Sequence, residues 1–314
     1  TAALELPEQG VMLSSTLEHP ASMSAMKKWA KNTKRDHIIV EHNDESGSID
    51  EQAYMKKLSS DLRVVSIVHT SPVTGMTVDL EKITKEVRNV TPDCIIIVDG
   101  IQHSSHGAID VQKYDVDGYV VSPYKMFSRH GYGVAWASER LCTLNKEQLA
   151  DGPFENWELG TRDAGSYATF SDVVDYLDWL GSNFTESENT RERLEASSIA
   201  IKSHEQELVD LVINGAEDIV GLRNNKKIRI IGNSASTPRE GVVSFFHKNK
   251  PSRIIVEELR QRKIRVHIRK DDHYCGNILR PLNQKDCIRF SICHYNSKAE
   301  VVEFLRAINE ISAN

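Results

Sequence analysis

A chain of 314 residues with a formal net charge of -6 is long enough for one large domain with a smaller one attached. It carries no basic face of the kind a nucleic-acid binder needs, and no apolar run approaches the roughly 18 residues of a membrane span. Five cysteines, Cys94, Cys142, Cys275, Cys287 and Cys293, are an odd number without paired metal spacing, which predicts reduced thiols, a cytoplasmic protein and no bound metal.

In chain order, Val11–Leu13 reads as a strand, 21–33 as a helix, 37–41 as a strand and 49–58 as a helix. A strand at 64–69, a helix at 78–90 and strands at 94–99 and 119–122 follow. These strands have no polar face, so they fit a parallel sheet covered by helices on both sides, and the alternation predicts a doubly wound α/β domain. Residues 145–160 read as a loop, and 167–222 as one long helical region with a solvated face. The remainder reads as strands at 228–231 and 242–246, a helix at 254–262, strands at 265–268 and 288–292, and a helix at 298–311. In that last helix Val301, Phe304, Leu305 and Ile308 form one apolar face. The expectation is a large domain over 1–185 and a helical link with a small α+β domain over 186–314.

The segment Val98–Trp136 is the richest in chemistry. Asp99 ends a buried-looking strand, where open α/β sheets place their ligands. It can pair with a cationic group, or simply cap a helix. Lys125 also follows a strand, in a loop where a lysine can be desolvated and made nucleophilic, although most lysines are solvated surface charges.

Together, Asp99-Gly100-Ile101-Gln102, the strand beyond it, Ser122-Pro123-Tyr124-Lys125 and Gly131-Tyr132-Gly133 resemble the core of class V aminotransferases and cysteine desulfurases. The resemblance implies the pyridoxal-phosphate (PLP) transferase fold of type I, with a large, mainly parallel sheet domain and a smaller C-terminal α+β domain. It implies PLP as cofactor, with Lys125 as its Schiff-base lysine, Asp99 on the pyridine nitrogen and Gln102 on the phenolic oxygen. A carboxylate there keeps the ring nitrogen protonated, the condition under which the ring withdraws electrons from the substrate Cα. Ser122 stands at a phosphate-binding position, and Tyr124 stands where many members carry histidine.

Further segments extend the resemblance over nearly the whole chain. Glu18-His19 is similar to the family's strand-end motif, which makes His19 the residue stacked on the ring. His69–Gly75 matches a family turn, with Pro72 where desulfurases often place asparagine. Gly160-Thr161-Arg162-Asp163 is closest to isopenicillin N epimerase-like members, and implies a homodimer with shared active sites in which Thr161 reaches the phosphate of the neighbouring subunit. Arg289, between Ile288 and Phe290, matches the arginine that grips the substrate carboxylate, a task suited to its planar fork. Thr1–Leu6 is similar to the tail of a phosphate-binding turn, which puts Thr1 at the cofactor and implies further residues before Thr1 and after Leu6.

The reaction turns on Cys275, fourteen positions before Arg289, close to the spacing of the persulfide-forming cysteine of desulfurases. His273 and Arg269 stand near it in sequence as groups able to activate the thiol. On one reading the chain is a cysteine desulfurase, or a selenocysteine or C–S lyase, with Cys275 taking the sulfur and a sulfur acceptor protein downstream. On the other, Cys275 fills a small space in a loop, and the chain is an aminotransferase or an epimerase. A non-catalytic protein of the same fold is a third reading, opposed by the retained Asp99, Gln102, Lys125 and Arg289. In every catalytic case the substrate is a small amino acid.

Overall fold

The structure, a computed structural model, describes residues 10–232 and 238–313. Its first half alternates strands and helices: β1 (Val11–Ser15), α1 (Pro20–Thr33), β2 (His37–Val40), α2 (Glu51–Met55), β3 (Leu62–Val68), α3 (Leu80–Val90), β4 (Ile95–Asp99) and β5 (Gly118–Val121). β6 (Val134–Ala137) and the short α4 (Glu139–Cys142) complete this part. The six strands form one sheet in the order β2-β1-β3-β4-β5-β6. All neighbouring pairs are parallel except β5 with β6.

β3 and β4 read LRVVSIV and IIIVD, β-branched runs almost wholly buried, as strands covered on both faces require. α3 turns Leu80, Ile83, Thr84 and Val87 inward, one stripe at helical spacing, and caps its first turn with the Asp79 carboxylate. β6 escaped sequence reading for a physical reason. It is a four-residue edge strand with Ala135 and Trp136 exposed, so it carries no buried apolar run.

The single helical region expected over 167–222 is two helices, α5 (Ala164–Gly181) and α6 (Thr190–Asn214), packed on each other. The intervening residues are polar and helix-tolerant. The break is set by Asn189, whose side chain accepts from the Glu192 N–H at 3.2 Å to start α6. A small hairpin follows, β7 (Gly215–Ala216) and β8 (Ile219–Val220).

The C-terminal part holds β9 (Ile228–Ile230), β10 (Val242–His247), α7 (Ser252–Gln261), β11 (His267–Lys270), α8 (Gly276–Leu279), β12 (Asp286–Ser291) and α9 (Lys298–Ala313). Its strands make an antiparallel sheet ordered β11-β12-β10-β9. The apolar face of α9, with Phe304 and Ile308, packs with Phe245, Ile255, Leu259 and Ile288 into a core of its own. The opposite side of this sheet faces the large domain, where Cys275, Ile278 and Cys287 join the larger core.

Candidate active site

Four strand ends of the large sheet converge on one region. β1 runs into a turn that ends at His19, which caps α1: its Nδ1 accepts from the Ala21 N–H at 3.2 Å. β3 ends in the turn 69–77. Gly75 has φ +76°, and a Cβ on it would lie 2.2 Å from the Val242 carbonyl oxygen, so only glycine fits where this turn meets β10. The turn presents the Pro72 carbonyl, which accepts from Arg289 Nη1 at 2.9 Å. β4 delivers Asp99 and then Gly100, which lies flat against the Tyr119 ring, with no room for a side chain. β5 delivers Ser122 and a single 3-10 turn, Pro123–Met126, on which Lys125 sits.

The small sheet forms the opposite wall. Arg289 on β12 and Arg269 on β11 share one face, because Arg269 is paired with Cys287 and Cys287 lies two residues from Arg289. Together these elements enclose a cavity of about 560 Å³. Its walls carry His19, Gln102 and Lys125 from one side and Arg269, Cys275 and Arg289 from the other.

Electrostatics distinguish these groups from ordinary surface residues. The Lys125 ammonium donates to Gln102 Oε1 at 2.9 Å. Burial draws its pKa down to about 8, with Arg289 pushing the same way and Asp99 opposing. Burial raises the Asp99 carboxyl, against the Ile101 N–H, which donates to it at 3.1 Å, and against the charges of His19 and Lys125. His19 is lowered by burial, which favours a neutral ring. Burial, reinforced by Arg269, brings Arg289 down to about 10. The Nε atoms of Arg269 and Arg289 are both buried without a hydrogen-bond partner among the described residues, and neither guanidinium has an ion pair there. Two guanidiniums on one wall, without an ion pair among the described residues, can hold a carboxylate.

The Cys275 thiol is 1% exposed and belongs to the apolar core as well as to the cavity wall. Burial pushes its pKa up, and Arg269 and Arg289 pull against that. Thus the structure brings together His19, Gln102, Tyr124, Lys125, Cys275 and Arg289. Asp99 lies at the adjoining strand end, electrostatically coupled to His19 and Lys125 but outside the cavity wall. Ser122 also lies outside it, and Thr161 is exposed in the segment before α5. Thr1 lies outside the described residues. Sequence reasoning placed no role on Ser105, His106, Tyr274 or Cys293, which also line the cavity. Cys293 and Tyr274 adjoin segments already marked by Arg289 and Cys275, and His106 lies in the Val98–Trp136 segment, so proximity was the available signal.

The chain matches the family model described as Aminotransferase class-V over residues 2–304. It is 24% identical over 313 residues to a probable cysteine desulfurase of Pseudomonas putida, covering 94% of this chain and 70% of the relative. It is 26% identical over 325 residues to a cysteine desulfurase of Synechococcus elongatus, covering 98% of this chain but 47% of the relative. A probable cysteine desulfurase of Treponema pallidum is 23% identical over 283 residues, covering 85% and 63%. The chain thus spans from about half to some two thirds of these relatives' lengths. Among solved structures, the apo cysteine desulfurase of Thermococcus onnurineus superposes with a TM-score of 0.81 at 20% identity, over 99% of this chain and 75% of the other. A C-DES variant with glycine covalently linked to the PLP cofactor gives 0.71 at 18% identity, over 97% and 75%. The fold is therefore that of the type I PLP enzymes, and this chain belongs to the class-V aminotransferase family.

Proposed function

We propose that the chain is a PLP-dependent enzyme acting on a small amino acid, and that its reaction is the desulfuration of cysteine. The observation that carries this reading is Lys125, a desolvated amine with a pKa of about 8 in the same cavity as two guanidiniums that lack ion pairs among the described residues. The donor set fits the cofactor. Asp99 is a half-buried carboxylate with no ion pair among the described residues, and a pyridinium nitrogen would give it one. Gln102 would bond the phenolic oxygen, His19 would stack on the ring, and Lys125 would hold the cofactor covalently. Ser122, Tyr124, Thr1 and, across a homodimer, Thr161 are assigned to the phosphate.

When bound, PLP supplies an electron sink for negative charge developing at the substrate Cα. The chain's residues do the rest. Arg289 binds the substrate carboxylate in a bidentate fork, and Arg269 adds a second positive charge on the same wall. Lys125, partly neutral near pH 8, takes the proton from Cα and returns it. In desulfuration the Cys275 thiol accepts the substrate sulfur: cysteine and the enzyme thiol become alanine and an enzyme persulfide, which a sulfur acceptor protein then removes. We assign the large domain to residues 1–185 and the small domain, with its helical link, to 186–314. The protein is assigned to the cytoplasm, in keeping with its five free cysteines; among the described residues, no helix is long and apolar enough to cross a membrane.

Lys125→Ala tests the core of the reading. The wild type should be yellow and give a borohydride-reducible adduct on the peptide carrying Lys125. The variant should lose both, and an unchanged adduct in it would exclude the assignment.

One observation favours a second reading. Cys275 is buried in apolar surroundings that raise its pKa, whereas sulfur transfer needs a thiolate. A lyase or epimerase that uses only Lys125 has no such need. If desulfuration is correct, cysteine should leave a persulfide on Cys275, detectable by alkylation and mass analysis, and Cys275→Ser should abolish alanine formation while keeping the colour. Undiminished turnover in the serine variant, with no persulfide on the wild type, selects the second reading.

A further inference from the structure

Behind Lys125, Gln102 leads to two buried groups, His106 and Glu205, to which the reaction described above gives no role. Gln102 Oε1 accepts from Lys125 Nζ at 2.9 Å. Gln102 Nε2 lies 3.1 Å from His106 Nε2, and His106 Nδ1 lies 2.6 Å from Glu205 Oε2. His106 and Glu205 side chains are only 4% and 3% exposed. The line joins the turn after β5, the turn after β4 and the middle of α6.

The chemistry of the amide ties this geometry to a proton count. An amide nitrogen only donates, so with Nε2 of Gln102 facing His106, the imidazole Nε2 must accept. The ring proton is then on Nδ1 and is given to the Glu205 carboxylate. If the amide turns over, its oxygen faces His106, and the imidazole Nε2 must carry a proton. Either His106 is then an imidazolium beside a Glu205 carboxylate, or Glu205 is itself protonated and donates to Nδ1. In both cases the pair holds one proton more than before. In the arrangement seen here the amide offers its oxygen to the site, which suits the Lys125 ammonium. A ligand oxygen that accepts hydrogen bonds needs the NH2 instead.

We propose that His106 and Glu205 are positioning residues that set which end of the Gln102 amide faces the cavity, and that seating an acceptor oxygen on Gln102 requires their pair to take up one proton. The ligand oxygen meant is the phenolic oxygen of PLP, so the proposal rests on the reading given under the previous heading. The surroundings favour an extra proton on the pair. His106 is raised: burial opposes its charge, but Glu205 and then Glu240 outweigh burial and Lys125. Glu205 is raised by burial, against its bond to His106. The other groups that face the pair are already engaged or of mixed sign. Glu240 is paired with His103 at 2.5 Å, and His103 stacks on His69 at 3.7 Å. On α6, Lys202 acts on His69, while His204 bonds the Asn296 carbonyl at 2.8 Å. The Cys293 thiol, raised by burial, lies near Glu205. Gly241 closes the remaining side, because a Cβ there would meet His106 Cε1 at 3.1 Å.

The test is a proton balance on the full chain. PLP is titrated calorimetrically into the cofactor-free protein at pH 8, in buffers of different ionisation enthalpy, for the wild type and for Glu205→Gln. The substituted amide holds the ring without a titrating carboxylate, so the wild type should take up about one proton more per site than the variant. In parallel, 15N spectra of histidine-labelled wild type, with the His106 signal identified by its loss in His106→Gln, should show Nε2 unprotonated before cofactor addition and protonated after it. Equal proton uptake in the two proteins, or an unchanged His106 Nε2, overturns the proposal. The wild-type spectra decide the matter even if Glu205→Gln does not fold. A chain that gives no binding heat and no colour with PLP instead overturns the functional reading, and the proposal with it. A merely structural pair would alter stability without altering the proton balance.

Discussion

At Glu18 a carboxyl group is enclosed by its own donors. The Ser15 and Ser66 hydroxyls and the Val68 N–H each donate to it at 3.0 Å. Burial nevertheless raises its pKa from 4.5 to about 7, and the Asp99 charge adds to this, against those three bonds. An acid raised on folding favours the folded state at low pH. That contribution is complete below about 4.5 and is lost as pH rises through about 7. By linkage it amounts to roughly 3 kcal/mol. Glu18→Gln keeps the volume and removes the titration. The variant should therefore gain on the wild type by roughly 2–3 kcal/mol between about pH 4.5 and pH 8, read as the difference between two urea unfolding curves at each pH. A pH-independent difference would refute it. The motif made residue identities legible here, since Glu18-His19 stands at a strand end. The titration behaviour was not legible, because it depends on how completely β3 and β4 cover the group.

Between elements, the junction of the turn after β3 with the small sheet is decisive, because it fixes Arg289 against Pro72. Arg239 clamps this junction from within. Its guanidinium donates to the carbonyl oxygens of Thr74, Ile231, Gly232 and Val242 and is 9% exposed. The Ser244 hydroxyl adds a bond to the Val73 carbonyl. A lysine has three donors on one atom and cannot span four carbonyls held by a planar fork. Arg239→Lys should cost about 2–4 kcal/mol, because buried carbonyls lose their donors. Urea unfolding of the variant measures it, and a loss below about 1 kcal/mol would show that the clamp is dispensable. The strands β3, β4, β10 and β12 were legible as apolar runs, and α9 as a periodic stripe. The edge strand β6, the hairpin β7–β8 and the four-residue α8 were not, because each is too short to carry a period of its own.

For the whole molecule, α5 and the residues flanking it matter most. Trp157, Leu159, Trp179 and Phe184 are each at least 40% exposed, and Thr161 lies among them in sequence. Large exposed apolar side chains in this number fit a protein whose surface a partner covers. Their exposure supports the homodimer proposed above, the commonest closed assembly. Sedimentation velocity at micromolar concentration should give a dimer of 35.4 kDa chains. Thr161→Ala should remain dimeric yet bind PLP more weakly, by about tenfold for one lost charge-assisted hydrogen bond. A fully active monomer would overturn the shared site. By itself, the sequence determined the alternation that makes the sheet, a local signal of residue type and spacing, and it singled out Lys125, Asp99, Gln102 and Arg289 through motifs that resemble those of a known family. Only the tertiary structure decided that Arg269 joins Arg289, that Cys275 lies buried where the core meets the cavity wall, and that His106 and Glu205 stand behind Gln102. Those relations join residues up to about a hundred positions apart, and their burial, which sets their charge, exists only once the sheets have packed.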